Sequence, residues 1–115
     1  MNDNCIFCKI VNKDIETEFV YEDDDIVVFK DINSQAPIHL LFIPKKHIET
    51  LNDISDEDSV LLSKMLMKIR DVAKSRGIAE DGYRVVVNCN RNAGQEVFHL
   101  HAHLLGGRGF SWPPG

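Results

Sequence analysis

The spacing of apolar residues along the chain predicts short strands and two helices. Apolar positions at helical spacing over residues 5–13 predict a short amphipathic helix that opens the domain. Two β-prone runs, 19–21 and 26–29, are separated by four acidic residues and predict a hairpin. A third strand is predicted at 39–43, where a proline on each side sets its limits.

The second half of the chain predicts a long helix followed by two more strands. One apolar face extends over residues 55–76, with Ser55 as the expected N-cap and Gly77 in the left-handed position after the last turn. Strands are expected at 83–87 and 98–105, joined by a loop that contains Gly94. The predicted fold class is α+β, an antiparallel five-stranded sheet with one long and one short helix on one side.

Length and charge limit the classes of function. The 115 residues, 43% of them hydrophobic, suit one domain over 1–115, and a core of that size favours an additional dimer interface. The formal net charge of -5 without a basic block argues against binding to nucleic acid. We expect a cytoplasmic protein without a membrane partner, because the sequence has neither a secretion signal nor a long apolar span.

The chain has three cysteines, Cys5, Cys8 and Cys89, and this small, odd number argues against a disulfide scaffold. Cys5 and Cys8 form a Cys-x-x-Cys pair, which indicates metal or redox chemistry in a chain without a secretion signal. Cys89 belongs to no pattern and is expected to be a small packed residue.

The segment from Phe98 to Leu105 alternates three imidazoles with apolar residues. In an extended strand, this period of two sends His99, His101 and His103 to one face and the intervening residues to the core. A single zinc ion held by all three is disfavoured, because the first and last side chains start roughly 13 Å apart at about 3.3 Å per residue. A row of imidazoles suits phosphate chemistry, with one ring as nucleophile and its neighbours as hydrogen-bond donors.

The histidine pattern resembles the signature of the histidine triad (HIT) family, and further motifs resemble its Hint branch over essentially the whole chain. These motifs are His99-x-His101-x-His103-Leu104-Leu105, Ile6-Phe7-x-Lys9-Ile10, Asp31-Ile32 with Gln35-Ala36-Pro37, Ile43-Pro44-Lys45-Lys46-His47, Gly82-Tyr83-Arg84, Gly94-Gln95 and Trp112-Pro113-Pro114-Gly115. The resemblance implies a nucleotide hydrolase that cleaves purine nucleoside phosphoramidates or related adenylates through a nucleotidyl-histidine.

The same resemblance implies a role for each matched residue. His101 aligns with the nucleophile, and His103 and the amides of Gly94 and Gln95 are expected to hold phosphoryl oxygens. Asp31 is the expected ribose partner. The remaining expected nucleotide contacts are Ile6, Phe7, Ile10, Phe29, Ile32, Asn88 and Val97.

Two features set this chain apart from parts of the family. Animal Hint proteins carry a serine where this chain has Glu96, a carboxyl that repels phosphate when ionised and donates a proton when protonated. The Cys5–Cys8 pair resembles a zinc-binding, bacterial-type subset, which implies a structural Cys2His2 zinc site completed by His47 and His99.

Two other functions compete with hydrolysis through a covalent histidine. One is a zinc-stabilised nucleotide-binding or partner-binding module whose catalysis is vestigial, and turnover of adenosine phosphoramidate separates it from the enzyme. The other is a metal-dependent hydrolase in which His99 and His101 are catalytic ligands. The resemblance also implies a homodimer in which the tail with Trp112 lies near the active site of the partner subunit.

Overall fold

The computed structural model describes residues 4–115, which contain five strands and three α-helices. In chain order the elements are α1 (Ile6–Val11), β1 (Phe19–Glu22), β2 (Ile26–Lys30), β3 (Ile38–Pro44), two 3-10 turns (Leu51–Asp53 and Asp56–Asp58), α2 (Ser59–Ser75), β4 (Tyr83–Val86), α3 (Asn90–Ala93) and β5 (Ala102–Gly106). The first three residues, where the predicted domain begins, lie outside the described part of the chain.

The strands form one antiparallel sheet in the order β1-β2-β3-β5-β4. The α+β class and the five-stranded antiparallel sheet predicted from the sequence are therefore confirmed. β5 lies between β3 and β4, with His103 opposite Leu41 on one side and Val86 on the other. This register places the last histidine of the triad well inside the sheet.

The prediction that the helices share one side of the sheet is wrong. α2 packs with Ile26, Val28, Leu40 and Phe42, whereas α1 packs with Val27, Phe29, Leu41 and Ile43. Successive side chains of a strand point to opposite faces, so the two helices cover opposite faces of the sheet. The cause is visible in β2 and β3, whose unbroken apolar runs need cover on both faces.

The long helix begins later than its apolar pattern predicts. Residues 56–58 form a separate 3-10 turn, and α2 runs from Ser59 to Ser75. The buried Asp58 carboxylate accepts the Ser55 N–H at 2.9 Å and binds the Lys46 ammonium at 2.7 Å, which holds this turn apart from the helix. Gly77 has the left-handed conformation predicted for it, with φ of 75°.

The histidine strand is shorter than predicted, because its first four residues leave the sheet. The predicted strand 98–105 is observed as Ala102–Gly106. Continuing the register would bring Leu100 opposite Pro44, which has no N–H to donate to a sheet partner. The Leu100 N–H instead bonds the Ile48 carbonyl at 2.6 Å, and His99 turns toward α1.

Candidate active site and metal site

Four donor atoms from three segments of the chain meet beside α1. The thiols of Cys5 and Cys8 and the Nδ1 atoms of His47 and His99 all lie within 4.8 Å of one another. Cys8 Sγ is 3.1 Å from His47 Nδ1 and 3.5 Å from His99 Nδ1, and the two Nδ1 atoms are 3.2 Å apart. Tetrahedral zinc places ligand atoms about 3.3–3.8 Å apart, given bonds of about 2.0–2.3 Å. The predicted set of four is thus brought together at separations close to those of a zinc site.

The contacts of the His99 ring leave its Nδ1 atom able to bind a metal. Nε2 lies 2.7 Å from the Pro44 carbonyl, which only accepts hydrogen bonds, so Nε2 carries the ring proton and Nδ1 has a free lone pair. A histidine ligand held by a carbonyl through its other nitrogen is the usual arrangement at zinc sites. Burial lowers the pKa of His99 to about 4, which keeps the ring in its neutral, ligating form. These residues fit a closed Cys2His2 metal site.

His101 is buried, and one of its nitrogens is held by the backbone. Its Nδ1 lies 2.7 Å from the His99 carbonyl and must donate to it, so Nε2 of the neutral ring has the free lone pair. The ring packs edge to face on Phe7 with centroids 5.2 Å apart. His101 therefore contacts the core, because the alternation that places Ala102 and Leu104 on the α2 side turns this ring to the face that α1 covers.

His103 belongs to a second cluster, with a partner that the sequence analysis missed. Its Nδ1 is 2.9 Å from Nε2 of His39, and the Asp31 carboxylate is 3.3 Å from His39 and 3.8 Å from His103. Burial lowers the pKa of His103 to about 4 and also lowers the pKa of His39, against the opposing charge of Asp31. Both rings are therefore neutral near pH 7.

The Gln35 N–H settles the hydrogen-bond direction in this cluster. It lies 3.0 Å from His39 Nδ1, and as a backbone donor it requires Nδ1 to accept, so the ring proton of His39 is on Nε2. His39 then donates to His103 Nδ1, which leaves the His103 proton on Nε2 as a free donor. A metal bound at His39 Nε2 would need the opposite tautomer, so these residues form a hydrogen-bond chain better suited to phosphate than to a metal.

Residues predicted for the base pocket are divided between core and surface. Phe7, Ile10 and Phe29 are buried in the cluster around α1, and Val97 packs against it. The Phe7 and Phe29 rings meet edge to face at 5.5 Å, next to His101. Ile6 is half exposed and Ile32 fully exposed. The two isoleucines are thus free to contact a ligand, while the buried residues shape the wall behind it.

The Gly94–Gln95 amides do not offer the phosphate contacts expected of them. The Gln95 side chain accepts from the Asn90 N–H and donates to the carbonyls of Glu49 and Val97. The backbone N–H groups of Gly94 and Gln95 donate to Arg91 and Asn90. These donors are used in the described structure to build the turn after α3, so a phosphate contact from Gly94 or Gln95 requires one of these bonds to be exchanged.

Two further predicted residues flank this loop. Asn88 is half buried between β4 and α3, and Glu96 is exposed ahead of the histidine segment. Neither position was expected to border a helix, because the four-residue α3 has no apolar face that a sequence pattern could reveal.

Comparison with known proteins decides the family. The model of the family described as "Scavenger mRNA decapping enzyme C-term binding" matches residues 4–109. The purine nucleoside phosphoramidase of Escherichia coli K12 is 48% identical over 108 residues, which cover 94% of this chain and 91% of that protein. The chain belongs to the histidine triad family. The predicted resemblance is thereby confirmed.

Solved structures of HIT proteins share the fold closely. A HIT family hydrolase from Legionella pneumophila is 54% identical, with a TM-score of 0.96 over 97% of this chain and 100% of that one. A histidine triad protein from Clostridium difficile is 43% identical, with a TM-score of 0.92 over 96% of each chain. This chain is an enzyme of the HIT hydrolase type. Across residues 4–115 no helix is long and apolar enough to cross a membrane.

Proposed function

We propose that this HIT hydrolase cleaves the P–N bond of purine nucleoside 5'-phosphoramidates or related adenylates through a nucleotidyl intermediate on His101. The observation that carries the proposal is the His101 hydrogen bond to the His99 carbonyl at 2.7 Å, which fixes the ring and leaves Nε2 as the nucleophile. The similarity to a protein named purine nucleoside phosphoramidase supports the substrate class.

In the first step, the His101 Nε2 lone pair attacks the α-phosphorus, and the P–N bond breaks as its electrons pass to the leaving nitrogen. That nitrogen takes up a proton, for which Glu96 is the proposed donor when its carboxyl is protonated. The His103 Nε2–H donates to a phosphoryl oxygen as negative charge accumulates there. Water then attacks the phosphorus and gives a proton to the Glu96 carboxylate. The P–N bond to His101 breaks as its electrons return to Nε2, which releases the nucleoside monophosphate and restores both residues.

Nucleotide recognition is proposed for residues around this centre. The Asp31 carboxylate accepts the Asn33 N–H at 2.8 Å and keeps further lone pairs for the ribose hydroxyls. The base is proposed to lie between the exposed Ile6 and Ile32, in front of the Phe7–Phe29 wall. Asn88 is proposed to orient the phosphate from the end of β4.

A structural zinc ion is proposed for Cys5, Cys8, His47 and His99. Four protein ligands complete a tetrahedron and leave no position for a catalytic water. When bound, the ion supplies a cross-link between α1 and the segment that carries His101. His101 does not belong to the four-donor group and its Nδ1 is occupied, which argues against the alternative with His99 and His101 as catalytic ligands.

Turnover of adenosine 5'-phosphoramidate tests the proposed activity. We expect equal amounts of AMP and ammonia, with AMP formation monitored by phosphorus NMR. Protein denatured at alkaline pH, where the phosphorus–nitrogen bond to histidine survives, should have an intact mass raised by one nucleotidyl group. Guanosine and cytidine phosphoramidates serve as matched substrates for base preference. Binding of AMP without any turnover would instead favour the module with vestigial catalysis.

A homodimer is proposed to form through the edge strand β4. Tyr83, Val85 and Val87 are 37%, 38% and 40% exposed, and Val85 lies opposite Leu104 of the core on the α2 side of the sheet. The free backbone edge of β4 and this apolar row are therefore proposed to pair with β4 of a second copy of the chain. The exposed tail with Trp112 is proposed to lie near the active site of that partner subunit.

Sedimentation of the wild-type protein at micromolar concentration is expected to give about twice the chain mass of 13.1 kDa. Val85→Asp should give monomers, because it places a charge in the apolar row. Val60→Asp is the matched control, since Val60 is exposed on α2, on the face opposite the buried Ile69. A monomeric wild type, or dissociation by both variants alike, would contradict pairing through β4.

A further inference from the structure

The segment that follows β5 lies directly on the loop that leads into β3. Gly107 has φ of 90°, and a Cβ at this position would come within 2.9 Å of the Pro37 side chain. The next residue, Arg108, donates from Nε to the Gln35 carbonyl at 2.9 Å. Two neighbouring residues thus contact the same short loop, one by close approach and one by a charge-assisted hydrogen bond.

Gln35 is held through both of its backbone groups. Its N–H donates to His39 Nδ1 at 3.0 Å, and its carbonyl accepts from Arg108. With both groups bonded, the φ and ψ angles of Gln35 are restrained, so the direction of its N–H depends on the bond to its carbonyl. The Gln35 N–H in turn fixes which nitrogen of His39 carries the proton.

We infer that Arg108 is a positioning residue which, through Gln35, fixes the tautomers of His39 and His103 and so keeps a proton donor aimed out of the histidine cluster. The order of contacts is Arg108 Nε to Gln35 carbonyl, Gln35 N–H to His39 Nδ1, and His39 Nε2–H to His103 Nδ1. The catalytic consequence rests on the proposed function, but the tautomers themselves do not.

Arg108 also holds the start of the C-terminal tail. Its guanidinium lies 4.2 Å from the centroid of the Phe110 ring, and the Arg84 guanidinium lies 5.1 Å from the same ring. Arg84 donates to the Ser111 carbonyl at 3.0 Å. Arg108 therefore joins the tail to the Gln35 loop, whereas Arg84 joins the tail to β4, which makes the pair suitable for a matched comparison.

Nitrogen NMR of protein labelled with 15N in its histidines tests this assignment at neutral pH. In the wild type, His39 should show one protonated and one unprotonated ring nitrogen, with the proton on Nε2. Arg108→Gln releases the Gln35 carbonyl and so loosens the backbone that aims the Gln35 N–H at His39. The two ring shifts of His39 should therefore move toward each other as both tautomers become populated. Arg84→Gln removes a guanidinium from the same Phe110 ring and should leave the His39 shifts unchanged.

Kinetics give the second readout. Arg108→Gln is expected to lower kcat for adenosine 5'-phosphoramidate about five- to tenfold, with a smaller change in KM. This is less than the full effect of one charge-assisted hydrogen bond, because the loss reaches His103 only through Gln35 and His39. Arg108→Lys keeps the charge without the Nε bond, and we expect it to resemble Arg108→Gln. It also serves as the test if Arg108→Gln does not fold.

Unchanged His39 shifts in both Arg108 variants would overturn the inference. So would an equal fall in kcat for Arg84→Gln and Arg108→Gln at unchanged His39 shifts, because the loss would then arise from the tail alone. If the wild type releases no nucleotide, the proposed function fails, and the His39 shifts still decide the role of Arg108.

Discussion

Replacement of His101 is expected to abolish turnover, with kcat reduced by at least about a thousandfold, because the only nucleophile of the proposed reaction is lost. Its Nδ1 is committed to the His99 carbonyl, so the reacting atom is Nε2, and no other histidine takes its place. His103 Nδ1 faces His39, and His99 is one of the four possible metal ligands. The variant, denatured at alkaline pH after mixing with substrate, should carry no nucleotidyl group.

Two variants of His101 separate lost chemistry from lost packing. His101→Ala removes the ring that packs on Phe7 and should lower the melting temperature by several degrees, the effect of about 1 kcal/mol in a domain of this size. His101→Gln retains more of that volume and should be the more stable variant while equally inactive. Turnover at the wild-type rate by His101→Gln, or a nucleotidyl group still attached to it, would contradict the proposed nucleophile.

The regular part of the histidine motif could be predicted from sequence, and its departure from the sheet could not. Alternation correctly predicted that Leu100, Ala102 and Leu104 are buried. It could not show that the strand stops at Ala102, because this depends on Pro44, a residue of another strand that denies Leu100 a sheet partner. Local patterns contain no information about such a neighbour.

His39 was not predicted as a site residue, for a related reason. A histidine at the head of an apolar run is typical of a strand end, and its partner His103 is 64 residues away in the chain. The sequence nevertheless carried a signal, since a buried strand position occupied by histidine requires a polar partner. The position of α1 was likewise readable from β2, whose four consecutive apolar residues imply cover on both faces.

Loss of the proposed zinc ion is expected to lower stability much more than it lowers catalysis. Cys5→Ser combined with Cys8→Ser, or treatment with a strong chelator, should reduce the melting temperature by at least about 10 °C, since metal that binds only the folded chain stabilises it by several kcal/mol. The described contacts tie α1 to His47 and His99 only through these donors and the contact of the Phe7 ring with His99.

The matched control for the two serine variants is Cys89→Ser. Cys89 is a free, half-buried thiol that lies outside the four-donor group. Its replacement should leave both the melting temperature and the metal content unchanged. Elemental analysis of wild type purified without added metal should give about one zinc per chain, the expectation for a single closed site.

The expected loss of activity without zinc is partial, because the ion polarises no water and its influence reaches His101 only through His99. The Nδ1 atom of His99 would no longer bind an ion. The His99 carbonyl, which accepts the His101 Nδ1–H, would then be held less firmly. We therefore expect kcat to fall about tenfold while the nucleotidyl intermediate still forms, since a slightly misplaced nucleophile remains a nucleophile. A metal-free protein of unchanged stability would refute the site. A metal-free protein that is folded yet wholly inactive would instead favour a catalytic metal at His99 and His101. The nucleophile would then be a metal-activated water and not His101.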